Sequence, residues 1–115
     1  AVRGEAIEPV DVQATLTELT AGCCQQAMKR FAPEARQLLV CGGGAYNADL
    51  MRRLAGGLPQ VRVETTEARG LPADQVEAVA FAWLASAWMH RRAGNLPTVT
   101  GARGSRLLGA LYPAG

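Results

Sequence analysis

Aromatic side chains are scarce: the 115 residues hold two Phe, two Tyr and two Trp. Single-stranded nucleic acid is gripped by rings interleaved with basic side chains, and that interleaving is missing here. Charge of one sign is missing too. The formal net charge is +2, twelve Lys and Arg against ten Asp and Glu, with arginines such as Arg52, Arg53, Arg91 and Arg92 scattered among acids. Histidine occurs once, as His90, at the end of an apolar run beside two arginines, which reads as a solvated helix end rather than a metal ligand. Cys23, Cys24 and Cys41 are odd in number and two are adjacent, so a disulfide framework is not expected and a reducing compartment is. Each thiol sits in an apolar stretch, where it behaves as a small hydrophobe. No apolar run follows a basic N-terminal segment, and the longest apolar stretch, around Val79 to Met89, is too short for a bilayer. The expectation is a soluble, cytoplasmic protein. A start at Ala1 rather than Met suits a piece of something longer, and removal of an initiator Met would look the same.

What is present is apolar sequence, 49% of the chain. At this length it is expected to build one compact domain with one core, not two independent domains. Val12, Leu16, Leu19, Cys23, Ala27 and Phe31 recur at steps of three and four, one face of an amphipathic helix over roughly Val10 to Arg30, with Pro9 and Asp11 suited to its start. Gln37 to Cys41 reads as a buried strand running into three glycines. A second helix fits Asn47 to Ala55, capped by Asn47 and closed by Gly56 and Gly57. Gln60 to Glu64 alternates as a strand does, and the helix between is long enough to cross over between parallel strands. A third helix is predicted from near Asp74 to about Arg92, with basic residues in its last turn. Its middle, AVAFAWLASAW, is apolar nearly all round and must be covered on several sides, by the sheet, by another lobe or by a second subunit. Phe81, Trp83 and Trp88 are expected in that covered surface rather than as a stacking platform. The tail from Asn95 reads as loop until LLGALYP, which suits one more short element.

Chemistry concentrates at Gly42, Gly43 and Gly44. Three glycines between a strand and a helix let backbone approach a ligand without Cβ interference, and N–H groups at the following helix start favour an anion or a polar ring edge. No Gly-Lys-Ser/Thr follows, and Asn47 stands where a dinucleotide fingerprint needs its last glycine. By spacing alone the segment is either a nucleotide-binding turn or an ordinary tight strand-to-helix turn.

CGGGAYNADLMRRL, GLPADQVEAVAFAWLA and GNLPTVTGA, in that order and preceded by PVDVQATLTELTA, together resemble the C-terminal part of the anhydro-N-acetylmuramic acid kinase family, within the hexokinase and actin superfamily. The resemblance implies an α/β fold: a ribonuclease H-like lobe of a two-lobed sugar kinase, with a parallel strand-helix-strand unit packed by long helices. Residues 1–115 would then be the C-terminal nucleotide-binding lobe. It implies hydrolysis of the 1,6-anhydro bond of anhydro-N-acetylmuramic acid and phosphorylation of the 6-hydroxyl from ATP with Mg²⁺, in cell-wall recycling. Gly42, Gly43, Gly44 and Asn47 would lie beside the adenosine end of ATP. Family members often carry His where Tyr46 stands, so an imidazole hydrogen bond would be lost there.

Glu77 matches the family's EAxAFAWLA motif, whose Glu reaches the sugar. Asp74 and Glu77 also have capping-box spacing, under which Glu77 only serves the helix start. Thr98 and Thr100 lie in a Gly- and Thr-containing loop and read as turn chemistry. The family's phosphate loop and catalytic aspartate match nothing here, so no catalytic residue and no metal ligand is assigned to this chain. Mg²⁺ would be held mainly by the N-terminal lobe, which is also an expected partner along with a second copy. The alternative is a non-catalytic nucleotide-binding or regulatory interaction module.

Overall fold

The computed structural model describes residues 8–113, and the expectation for the N-terminal segment, residues 1–7, lies outside them. Where one compact domain with one core is expected, the chain divides into two units, one reaching to Asp74 and one from Gln75.

In the first unit, helix α1 spans Pro9–Phe31. Proline at its first turn costs no hydrogen bond, Asp11 lies at the positive end of the dipole, and Lys29 and Arg30 lie at the negative end. The hydroxyls of Thr15, Thr17 and Thr20 donate to carbonyls one turn back, which accommodates three threonines inside a helix. The face that packs is not the apolar stripe. Ala21 is fully buried, flanked by half-buried Ala14, Thr17, Gln25 and Met28, whereas Val12, Leu16, Leu19 and Phe31 are 44 to 75% exposed. Small and polar residues let α1 approach helix α2, Ala48–Gly57, closely. The Gln25 amide donates to the Arg53 carbonyl at 2.9 Å and lies where a side chain on Gly57 would stand. The stripe stays largely exposed, and no described element of the first unit covers it.

Strand β1, Gln37–Val40, and strand β2, Arg62–Thr65, pair in parallel from Gln37 opposite Arg62 to Val40 opposite Thr65, with α2 as the crossover. This is the strand-helix-strand unit read from the sequence, with β2 shifted by one or two residues. Gln37 donates to Glu64 at 2.6 Å and accepts from Arg69, so a polar clasp ties β1 to β2 and to the 3₁₀ turn Thr66–Arg69. Leu54 and Leu58 are the large side chains buried here. Cys23, Cys24 and Cys41 are exposed free thiols.

The second unit holds helix α3, Val76–Met89, and the single turn α4, Pro97–Thr100. Helix α3 is shorter than expected at both ends. It stops at His90 because Arg91 takes a left-handed conformation (φ 54°), and the Arg92 N–H closes back on the Ala87 carbonyl at 2.8 Å. The basic residues therefore follow the last turn instead of filling it. Ala87 is buried and Trp88 half-buried, whereas Val79, Phe81, Trp83 and Met89 are 49 to 70% exposed, so this unit alone covers only part of the aromatic group. A unit this small has too little chain to enclose a helix that is apolar all round. Asn95 organises the following loop by donating to the Gly104 carbonyl and accepting from the Arg106 N–H. LLGALYP forms no regular element. Its leucines instead lie along α3, leaving an apolar hollow of about 440 Å³ lined by Phe81, Leu84, Trp88, Met89, Leu108 and Leu111.

Candidate functional site

The chain leaves β1 through Cys41 and turns at Gly42 with φ 73° and ψ −173°, a conformation essentially restricted to glycine. That residue is fastened at both ends: its N–H donates to the Ala73 carbonyl at 2.7 Å, and its carbonyl accepts the Ala45 N–H at 3.0 Å. Internal structure thus accounts for Gly42 completely.

Gly43 and Gly44 are different. They open the 3₁₀ turn Gly43–Tyr46 with ordinary backbone angles. A Cβ on Gly43 would meet nothing within 4 Å, and one on Gly44 would make an ordinary 3.4 Å contact with Leu50 Cδ2. Neither conformation nor crowding calls for glycine at either position. As the first residues of a 3₁₀ turn, both present N–H groups that make no hydrogen bond among the described residues. Gly43 thus combines a bare N–H with open space beside its Cα, an arrangement that can admit a ligand and that packing within the turn does not require.

The next helix start is already satisfied. Asn47 Oδ1 accepts from the N–H groups of Asp49 and Leu50 at 3.1 Å each, the cap expected from the sequence, and its Nδ2 makes no hydrogen bond among the described residues. Asp49 then places a carboxylate in the first turn, held below its usual pKa by hydrogen bonds from Arg53 and Arg52. A ligand anion gains little beside that carboxylate. The exposed donors belong to the 3₁₀ turn and suit ring nitrogens or hydroxyl oxygens.

Tyr46 closes the turn and is 59% exposed. Partial desolvation, then the carboxylates of Asp74 and Glu67, push its phenol above its ordinary pKa, opposed by the Asp74 backbone amide, so the ring remains neutral. Ala73, whose carbonyl anchors the turn, was invisible in the sequence because the contact uses main chain alone.

Arg53 holds the scaffold behind the site. Its Nε donates to Asp49 at 2.7 Å while its other end reaches Glu18 on α1. Because the folded pKa of Asp49 is lowered, the charge contributes stability above the ordinary carboxylate pKa of about 4, and that contribution is lost as pH falls through the folded value. Urea midpoints of the whole protein should fall on acidification below about pH 4 and fall less in Asp49→Asn. Parallel profiles for the two proteins would refute this assignment.

Glu77 lies in the second unit as the second residue of α3, exposed and without a hydrogen bond among the described residues. The capping box does not form: Gln75, not Asp74, precedes the helix, and no side chain caps it. Thr100 donates to the Leu96 carbonyl and accepts, at 3.4 Å, from the Ala102 N–H, which is turn chemistry, while Thr98 makes no side-chain hydrogen bond among the described residues. His90 sits exposed at the helix end with Nδ1 2.8 Å from the Ser86 carbonyl. Among the described residues no three His, Cys, Asp or Glu gather as metal ligands, and no helix is long and apolar enough to cross a membrane.

Residues 1–114 match the family model for anhydro-N-acetylmuramic acid kinase. The anhydro-N-acetylmuramic acid kinase of Albidiferax ferrireducens is 56% identical over 109 residues, 95% of this chain and 28% of its own length. That of Cupriavidus metallidurans is 57% identical over 106 residues, 92% of this chain and 28% of its own. That of Thiobacillus denitrificans is 56% identical over 111 residues, 96% and 30% respectively. The chain therefore spans about three tenths of the length of these relatives. With three ordered motifs, the glycine turn among them, and a match over nearly every residue, this chain belongs to the anhydro-N-acetylmuramic acid kinase family.

Proposed function

We propose that this chain is the C-terminal, nucleotide-binding lobe of an ATP-dependent cytoplasmic kinase of cell-wall recycling. The whole enzyme adds water across the 1,6-anhydro bond of anhydro-N-acetylmuramic acid and transfers the γ-phosphoryl group to O6, giving N-acetylmuramic acid 6-phosphate and ADP. One observation carries the reading for this chain: the N–H groups of Gly43 and Gly44 make no hydrogen bond among the described residues, and the space beside Gly43 is open.

ATP supplies the phosphoryl group. Gly43 and Gly44 donate to acceptors of its adenosine end, and Asn47 Nδ2 adds a third donor while Oδ1 holds α2 in place. The phosphate chain runs away from α2, because the Asp49 carboxylate stands at that helix start. Glu77 accepts hydrogen bonds from sugar hydroxyls. The residues described here do not fit a Mg²⁺ site, and no step is assigned to that ion on this chain. The parallel β1–β2 pair with its α2 crossover is the part of a ribonuclease H-like lobe that this chain contributes. The remaining seven tenths of the protein supplies the phosphate-gripping loop and the base, since phosphoryl transfer needs both. That N-terminal lobe is also the partner we assign to the apolar surface of α3, and a homodimer is the assembly the family resemblance implies.

Titrating ATP into the whole protein labelled with ¹⁵N-glycine should move the Gly43 and Gly44 amides saturably. Saturable changes elsewhere with these two unmoved would overturn the assignment. The 115-residue chain by itself should release no ADP with anhydro-sugar and ATP in a coupled assay, and turnover by it would place the missing machinery here.

A further inference from the structure

Between α1 and the start of α2 lies an open hollow of about 230 Å³, lined by Gln13, Leu16, Thr17 and Thr20 on one side and by Asn47 and Leu50 on the other. It adjoins the glycine turn: the Asn47 N–H donates to the Gly44 carbonyl at 3.1 Å, and Leu50 Cδ2 stands 3.4 Å from where a Gly44 Cβ would be. No charged side chain lines it. A phosphate or a metal ion would meet no counter-charge there, so the hollow suits a neutral ligand.

Its hydrogen-bonding groups narrow the choice. Thr17 and Thr20 donate their hydroxyl protons to the Gln13 and Leu16 carbonyls at 2.9 Å each, so toward the hollow their oxygens only accept. Three apart on a helix, the two are surface neighbours. Across from them, Asn47 Oδ1 is taken by the N–H groups of Asp49 and Leu50, which leaves Nδ2 as a donor. A group that gives a proton to a threonine oxygen and takes one from an amide is a hydroxyl, and two neighbouring threonines match two neighbouring hydroxyls. Leu16 and Leu50 supply apolar contact for the ring that carries them. The volume is below the roughly 300–1,000 Å³ of a whole-ligand site, which fits one ring rather than an entire nucleotide. We infer that this hollow seats the ribose of the nucleotide donor, its 2′- and 3′-hydroxyls held between Thr17 and Thr20 of α1 and Asn47 Nδ2; this rests on the nucleotide reading of the adjoining turn.

The test uses the whole protein and compares ATP with 2′-deoxy-ATP and 3′-deoxy-ATP. Each missing hydroxyl should raise KM roughly 2- to 10-fold, the loss of one hydrogen bond, with kcat little changed. Thr17→Val with Thr20→Val keeps the side-chain shape and should raise the KM for ATP while abolishing its advantage over the deoxy analogues. The melting temperature should hold, because a threonine bonded back to its own helix adds nothing to helix stability. The analogues probe the unaltered protein, so the result does not depend on how the variant folds. A parent that takes both deoxy analogues as readily as ATP, or a folded double variant that keeps the full discrimination, would overturn the ribose assignment. If Gly43→Val still weakens ATP in that event, the nucleotide reading stands without it. If neither Gly43→Val nor the threonine pair moves the KM for ATP, the nucleotide reading itself fails.

Discussion

Gly43→Val in the whole protein should raise the KM for ATP roughly 10- to 100-fold and leave the melting temperature unchanged, whereas Gly42→Val should lower stability first. The contrast follows from two neighbouring glycines held for different reasons. Gly42 sits at φ 73° and ψ −173°, where a side chain costs on the order of 1–3 kcal/mol in strain, and its hydrogen bond to Ala73 fixes it there. Gly43 has ordinary angles and no neighbour within 4 Å of its missing Cβ, so a side chain started there is expected to spare the fold and to strike a ligand on the turn. Losing one or two hydrogen bonds of about 0.5–1.5 kcal/mol each, with a steric clash added, gives the predicted range. Steady-state kinetics with ATP varied, alongside thermal melts of both variants, make the comparison. Unchanged KM in a folded Gly43→Val protein would mean that the turn only packs, and equal destabilisation of both variants would mean that an internal constraint on Gly43 had been overlooked.

The same distinction shows which features were legible in the residues. Local signals translated directly into structure. QLLV became β1, Asn47 capped α2, Pro9 opened α1, and the spacing between the two strand patterns gave a parallel pair, because each depends on a few adjacent residues. What depends on distant partners is not legible in the residues alone. The stripe Val12, Leu16, Leu19, Cys23, Ala27 and Phe31 marks one face of an amphipathic helix, and apolar periodicity ordinarily marks the buried face. In this chain, the face carrying Ala21 and Gln25 packs instead, since close helix contact selects small residues and a polar group that reaches main chain. Phe81 and Trp83 show the same limit: periodicity reports that a helix wants cover, not which part of a protein supplies it. At the site, the three glycines looked alike in the sequence. Separating the structurally required Gly42 from the unconstrained Gly43 took backbone angles and the space above each, and the anchoring Ala73 carbonyl has no side-chain signature at all.

Glu77→Gln should lower kcat/KM for the anhydro-sugar roughly 10- to 150-fold, with the KM for ATP and the urea midpoint little changed. The capping box was the competing role for this carboxylate, and it does not form: Gln75 precedes α3 and no side chain caps the helix start. What remains structurally for an exposed carboxylate in the first turn is its interaction with the helix dipole, about 0.3–1 kcal/mol. A hydrogen bond from a sugar hydroxyl to a charged acceptor is worth about 1.5–3 kcal/mol, and the amide of Gln keeps the shape while losing the charge. The activity loss should therefore far exceed the stability loss. It should also be confined to the sugar, because the N–H groups proposed to hold the nucleotide belong to a different turn, at Gly43 and Gly44. A Gln variant with the parent's kcat/KM for the anhydro-sugar would leave Glu77 as a helix residue only, and the sugar contact would have to be sought elsewhere in the protein.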